Sequence, residues 1–214
     1  MKKITIVIID DHKLIREMWA KLLSGRTDIE VTGESGRLND AVEMVKIKRP
    51  DIVLLDINLA DASGLDAVPL IRKFPPGSRI LVVSMHTQPV YAKKMFRLGA
   101  KGYITKNSSH HEMLQAVDEV MKGGIYICSE IKDALAGQAL QDDNNELSVN
   151  DLSLREIEII KLIKEGLTSK EISARLGISV RTVEVHRHNI LKKLKLKNAP
   201  ALINFIKNTD LGFL

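Results

Sequence analysis

Within the first 125 residues, short strand-like segments, the first and third of them apolar runs, alternate five times with segments of helical apolar spacing. The strand-like runs are Ile4–Ile9, Ile29–Ser35, Ile52–Asp56, Arg79–Ser84 and Gly102–Thr105. Unbroken apolar runs suit strands covered on both faces, and strands separated by helices suit a parallel sheet. Between them, Leu14, Met18 and Leu22 recur at four-residue spacing, and Ala41, Val42 and Val45 keep a helical period. Leu65, Val68, Ile71 and Arg72, then Met95, Leu98 and Gly99, continue the alternation. Met113, Leu114, Val117, Val120 and Met121 mark a last helix, and Gly102 and Gly123-Gly124 mark turns. The pattern predicts an α/β, flavodoxin-like domain with a five-stranded parallel sheet and helices on both faces. In that order the first and third strands are neighbours at the switch point, where ligands bind outside the carboxyl ends of strands.

The strand ends carry the chemistry. Asp10 and Asp11 follow the first run, Asp56 ends the third, Ser84 ends the fourth and Lys106 follows the fifth. Three carboxylates in one place repel one another unless a cation offsets them. Hard carboxylate oxygens suit Mg²⁺ (or Mn²⁺), which takes few protein ligands and keeps several waters. Beside such an ion one carboxylate can act as a nucleophile toward phosphorus. A lysine then supplies positive charge to phosphoryl oxygens, and a small hydroxyl donates one hydrogen bond. Asp11 has a plainer reading as a cap for a helix starting near Lys13.

The chain changes character near residue 142. The stretch 141–146 is polar and aperiodic and reads as a flexible linker, after a short extra helix over 125–141. Residues 1–124 then form one domain, 125–150 a connection and 151–214 a second domain. Charge divides in the same way. Residues 148–214 hold 12 Lys/Arg against 7 Asp/Glu, which accounts for the whole net charge of +5. A basic small domain beside a neutral larger one points to a polyanion as partner of the C-terminal part. The single Cys128 excludes an internal disulfide framework and suits a reducing compartment such as the cytoplasm. No run of about 18 apolar residues suggests a membrane span. Met1-Lys2-Lys3 leads into a strand without the cleavage site of a signal peptide.

From Leu152 onward the periodicity is helical. Ser153 and Glu156 have capping-box spacing, Ser169 can cap a second helix over Lys170–Leu176, and Gly177-Ile178-Ser179 makes a tight turn. A third helix runs from about Val180 to Leu194, and Asn198 can cap a fourth over Ala199–Asn208. Two helices joined by a short Gly-containing turn form a helix-turn-helix, whose second helix reads DNA. There is no G-x-G-x-x-G, no P-loop and no His/Cys cluster for zinc.

Ile8-Ile9-Asp10-Asp11-His12, Asp56-Ile57-Asn58, Ser84 and Gly102-Tyr103-Ile104-Thr105-Lys106 together resemble the receiver domain of bacterial two-component response regulators. The resemblance implies that Asp56 accepts a phosphoryl group from a sensor histidine kinase. It implies Mg²⁺ ligation by Asp11, Asp56 and the Asn58 carbonyl, with Asp10 assisting through water. Lys106 would pair with the phosphoryl group, Ser84 would be the switch hydroxyl, and Tyr103 the aromatic switch residue that turns inward. Leu59-Ala60 stands where many such receivers have Met-Pro, and the bulky Met85 follows Ser84, which we expect to slow entry of water or small phosphodonors.

Residues 152–208 resemble the LuxR/FixJ/NarL helix-turn-helix domain. The resemblance rests on Leu154-Arg155-Glu156, Gly166, Lys170-Glu171-Ile172, Leu176, Ile178-Ser179, Arg181-Thr182-Val183-Glu184-Val185-His186, Ile190 and Lys193-Leu194. On the third helix Val183, Arg187, Ile190 and Leu194 share a stripe beside His186, the expected packing face. Arg181, Glu184, Val185, His188 and Lys192 form the opposite stripe, with Thr182 at its start, and that stripe suits the major groove. Glu184 has two readings, an acceptor for cytosine or an intrahelical partner of Arg181 or His188. Lys170, Arg187, Lys192 and Lys193 are candidates for phosphate contacts, and Lys195 and Lys197 extend the basic run. The resemblance makes the fourth helix, with Leu202, Ile203 and Ile206, a homodimer contact; packing on the module's own first helix is the alternative.

The reading is a phosphorylation-switched transcriptional regulator. Phosphorylation would favour dimerisation, or release a closed form in which the receiver covers the recognition helix. Two rivals stand beside it: a phosphorylation-independent DNA-binding protein with the receiver as scaffold, and an aspartate-dependent phosphohydrolase. The latter typically carries Asp-x-Asp after its first strand, which Asp10-Asp11 is not.

Overall fold

The computed structural model describes residues 3–59, 64–74, 77–139 and 152–208. The proposed linker at 141–146 and Ala60 lie outside these residues. The chain divides into two compact units, parted between Gly137 and Gln138, close to the end of the last helix of the first unit.

The first unit has strands β1 (Ile4–Ile9), β2 (Ile29–Ser35), β3 (Ile52–Leu55), β4 (Arg79–Ser84), β5 (Gly102–Thr105) and β6 (Tyr126–Ile127). Its helices are α1 (Lys13–Leu23), α2 (Leu38–Lys48), α3 (Gly64–Ile71), α4 (Pro89–Leu98), α5 (His110–Met121) and α6 (Ser129–Ala139). All strands pair in parallel, in the order β2-β1-β3-β4-β5-β6. The all-apolar β3 is buried throughout, as are Ile6 to Ile9 of β1 and Ile80 to Val83 of β4. These runs lie at the sheet centre because both their faces are covered, which is why they lack apolar-polar alternation. Ile9 pairs with Leu55, Leu55 with Val82 and Ser84 with Thr105, so the residues that follow these strands emerge side by side.

Two features differ from expectation. The segment after Gly124 is not one helix: Tyr126 and Ile127 add a sixth strand against Gly102 and Tyr103 before α6 begins. Cys128 and Ile131 are fully buried, the Thr105 hydroxyl donates to Glu130 at 2.7 Å, and Ser129 donates through its backbone and hydroxyl to Glu112. A two-residue strand has no periodicity to read, and its pairing comes wholly from the β5 edge. On α1 the packing residues are Trp19 and Leu23, whereas Leu14 and Met18 are exposed.

The second unit contains α7 (Leu154–Lys164), α8 (Ser169–Leu176), α9 (Val180–Lys193) and α10 (Ala199–Asn208). The Ser153–Glu156 capping box forms as its spacing predicts, and the Asn198 side chain accepts from the Ala201 backbone. The cap of α8 is Thr168 rather than Ser169, and its box partner is Glu171. Ile157, Ile160, Ile172, Val183, Ile190, Leu202 and Ile206 make the core, with Gly177 left-handed in the turn between α8 and α9. No helix among the described residues is long and apolar enough to cross a membrane.

Candidate functional site

At the carboxyl end of the sheet, parallel register brings together what the sequence spreads over 97 positions, from Asp10 to Lys106. The Asp56 backbone N–H donates to the Ile9 carbonyl at 2.8 Å, continuing the ladder and setting Asp56 beside Asp10. The Lys106 N–H likewise donates to the Ser84 carbonyl at 2.8 Å. The Lys106 ammonium then lies 2.7 Å from both Asp10 Oδ2 and Asp56 Oδ2. Asp10 and Asp56 are each 2% exposed, so this contact operates largely out of water, where charge interactions are strong. Burial pushes the Asp56 carboxyl above its usual range, against the pull of Lys106. Burial would lower the Lys106 ammonium, but its bonds to Asp10 and Asp56 outweigh that and raise it.

The other carboxylate oxygens meet backbone donors. The His12 N–H donates to Asp10 Oδ1 at 2.8 Å and the Asn58 N–H to Asp56 Oδ1 at 3.3 Å. Asp11 is only half-buried and lies 2.7 Å from His12 Nδ1. Asp10, Asp11, His12 and Asp56 offer ligand atoms all within 4.8 Å of one another. Three carboxylates against one buried lysine leave net negative charge, and the oxygen-rich set fits a hard divalent cation. The Asn58 carbonyl follows directly in the same loop.

The loop after Asp56 closes on Gly64, whose N–H donates to the Ile57 carbonyl at 2.7 Å. A Cβ at Gly64 would stand 2.4 Å from the Asp56 carbonyl oxygen and 2.8 Å from Ile57 Cα, both rigid backbone. Only glycine permits that approach.

Ser84 is fully buried, and its Oγ accepts from the His86 N–H at 3.1 Å. Met85 between them is 60% exposed. Tyr103 is also fully buried, donating its hydroxyl to the His86 carbonyl at 2.8 Å, and burial raises its pKa. The inward turn expected of Tyr103 is therefore already made here. His86 joins these groups: its ring stacks on Tyr91 with centroids 3.8 Å apart and lies 3.2 Å from the Asn58 amide. The sequence marks neither His86 nor Gly64, because Gly64 acts through its backbone and His86 through backbone and ring contacts with residues that only the fold brings near.

In the second unit, Arg181, Thr182, Glu184, Val185, His188 and Lys192 of α9 are all exposed, as is Lys170 of α8. An open groove along α9 is lined by Thr168, Ser169, Glu184, Arg187, His188, Leu191 and Ala199. Arg187 is half-buried and donates to the Ser169 hydroxyl at 3.3 Å. Lys193 departs from its expected role. Its ammonium lies 2.7 Å from Glu156, a 2% exposed carboxylate, and so neutralises an internal charge. Burial raises the Glu156 pKa, yet Lys193 and the Ser153 donors outweigh it and hold the carboxyl below its usual range. Leu202 and Ile206 also depart from expectation. Both are buried, on a helix packed against α7, so they belong to the module's own core; of the three, Ile203 alone is exposed, at 43%. An apolar stripe looks the same in sequence whichever surface covers it.

Comparison with known proteins agrees with both halves. Residues 6–118 match the response regulator receiver domain, and residues 150–206 match the LuxR family of bacterial regulatory proteins. The transcriptional regulatory protein MctR of Rhizobium johnstonii is 36% identical over 203 residues, spanning 95% of this chain and 92% of that protein. The oxygen regulatory protein NreC of Staphylococcus haemolyticus is 34% identical over 206 residues, 94% of this chain and 95% of that protein. A LuxR-family response regulator from Aurantimonas superposes with a TM-score of 0.62 at 30% identity, over 65% of this chain and 99% of the other. RcsB of Salmonella enterica, solved on promoter DNA with a phosphomimetic, gives 0.66 at 20% identity over 97% of this chain and all of that one, a likeness of fold. The chain therefore belongs to the NarL/FixJ-type two-component response regulators, DNA-binding transcriptional regulators in which a receiver precedes a LuxR-type helix-turn-helix domain.

Proposed function

We propose that Asp56 is the phosphoryl acceptor and that its phosphorylation by a sensor histidine kinase switches the DNA-binding module. The observation that carries this reading is the Lys106 ammonium held 2.7 Å from both Asp56 and Asp10 at the carboxyl ends of β1, β3 and β5. An Asp56 oxygen attacks the phosphorus, the O–P bond forms as the P–N bond to the kinase histidine breaks, and the imidazole leaves with its electron pair. Asp10, Asp11, Asp56 and the Asn58 carbonyl would hold Mg²⁺ or Mn²⁺, which supplies charge neutralisation for the incoming phosphoryl oxygens. Lys106 exchanges its contact with Asp56 Oδ2 for a phosphoryl oxygen. Ser84 turns its hydroxyl to the same group, giving up the bond it accepts from the His86 N–H. That N–H and the His86 carbonyl, bonded to Tyr103, then move together, so the β4–α4 loop and Tyr103 respond as one unit.

Arg181, Thr182, Glu184, Val185 and His188 would face base edges of double-stranded DNA, with Lys170, Arg187 and Lys192 on phosphates. Ile203, the exposed one of the three apolar candidates on α10, is available to a second copy, and a homodimer would read half-sites about 10 base pairs apart. A DNA target and a single cysteine both suit a cytoplasmic protein.

The test is intact mass after incubation with Mg²⁺ and an acyl phosphate, with Asp56→Ala in parallel and oligomeric state measured on both. One phosphoryl adduct, absent from the variant and accompanied by self-association, is the expected result. No adduct from this donor or from a panel of kinases would make the receiver a scaffold.

A further inference from the structure

Asp10 is held by its backbone as well as by its side chain. Its N–H donates to the Ser35 carbonyl at 3.1 Å, and its carbonyl accepts from Arg16 Nη1 at 2.6 Å. Arg16 lies in the first turns of α1, five residues after Asp11, with its side chain only 17% exposed. The nearest carboxylate, Glu34 on β2, stands 4.0 Å from Arg16 Nε, and that buried nitrogen has no hydrogen-bond partner among the described residues. A cation kept this far from water ordinarily pairs with an anion, and here its one short contact is to a peptide carbonyl. That peptide is the one that joins Asp10 to Asp11. The β2–α2 turn closes the other side: a Cβ on Gly36 would lie 3.0 Å from Arg16 Nη1 and 3.5 Å from the Asp10 carbonyl oxygen.

We propose that Arg16 is a positioning residue for the divalent cation. By fixing the plane of the Asp10–Asp11 peptide, it sets the directions in which these consecutive carboxylates leave the backbone. The inference rests on reading the acidic cluster as a cation site. It also predicts a sign. A guanidinium acting only through its charge would repel the cation, so its removal would tighten binding. A guanidinium that orients the ligands gives the opposite result.

The experiment titrates the full chain with Mn²⁺, following free Mn²⁺ by electron paramagnetic resonance, and competes with Mg²⁺. Arg16→Met keeps the aliphatic stem and removes the donor, and Arg16→Lys keeps the charge and one donor. The melting midpoint of each metal-free protein is measured alongside. We expect Arg16→Met to raise the Kd about tenfold, in the range found for partners that orient metal ligands, and Arg16→Lys to stay within about threefold of wild type. An unchanged or lower Kd in Arg16→Met overturns the assignment, whatever happens to the melting midpoint. Equal weakening in both variants also overturns it. If Arg16→Met melts below the assay temperature, Arg16→Leu, which also lacks a donor, takes its place under the same criteria. Wild-type protein without saturable Mn²⁺ binding would instead sink the reading of the cluster as a cation site, an outcome distinct from failure of Arg16 alone.

Discussion

The acidic pocket and the outer face of α9 are opposite kinds of site. In the pocket Asp10, Asp56, Lys106 and Ser84 are out of water and bonded to one another or to backbone. On α9, Arg181, Glu184, Val185, His188 and Lys192 stand in solvent. The first is assembled by the fold before any partner arrives; the second is a surface that a polyanion would order. Substitutions in the pocket should therefore change stability and chemistry together, whereas those on α9 should change affinity alone.

Lys106→Met is the strongest test of that contrast. It leaves two carboxylates buried without their shared cation, and breaking a buried pair costs about 3 kcal/mol or more. Denaturant unfolding without metal should show this loss, and phosphoryl uptake should fall with it. Unchanged stability would mean that the pocket is wetter than its 2% exposures indicate.

Gly64→Ala is expected next. Its Cβ meets backbone 2.4 Å away, so the loop carrying Asp56 has to shift, at about 2 kcal/mol for overpacking of this kind. Stability by denaturant and phosphorylation rate by intact mass should both decline. A variant that loses stability but phosphorylates at the wild-type rate would separate the loop from the acceptor geometry.

Glu156 extends the comparison to pH. Its carboxyl is held below its usual value in the folded chain. The folded form thus binds its proton less readily than the unfolded chain does. The stabilisation is full above the ordinary glutamate pKa of about 4.3 and is lost as pH falls through that value toward the folded one. Glu156→Gln should cost about 1.5 kcal/mol at neutral pH, the low end for a hydrogen bond to a charged group. Its difference from wild type should shrink on acidification, measured by paired melts from pH 7 to pH 3. A constant difference would show that Lys193 does not sense the ionised carboxylate.

The smallest effects in stability separate two adjacent lysines. Lys192→Ala should leave the melting midpoint alone, weaken DNA binding, and reduce the salt slope by about one counterion. Lys193→Ala should lower the midpoint through Glu156. Identical behaviour of the two on DNA would restore Lys193 to the phosphate contacts.

Much of the fold was legible in the chain, and the reason is local. The runs at β1, β4 and β5 end where the strands end, because burial on both faces leaves a mostly apolar signature in consecutive residues. The Ser153 and Asn198 caps are equally local, since a cap reaches only two or three residues ahead. The α8 cap is Thr168 rather than Ser169: both residues are competent, and only the backbone conformation at Thr168 decides between them.

What the sequence by itself determined is the inventory: which strand ends carry carboxylate, hydroxyl and ammonium, and which helix carries the exposed basic stripe. Tertiary structure decided the pairings. Strand register put one ammonium between two aspartates, and a sheet edge drew Tyr126 and Ile127 into pairing. Helix packing turned Leu202 and Ile206 inward and aimed Lys193 at Glu156. Arg16 reached a backbone carbonyl, and His86 tied Ser84 to Tyr103. Backbone groups are the same at every position, so contacts made to them leave no pattern in the side-chain sequence, and only the folded chain shows which residue meets which.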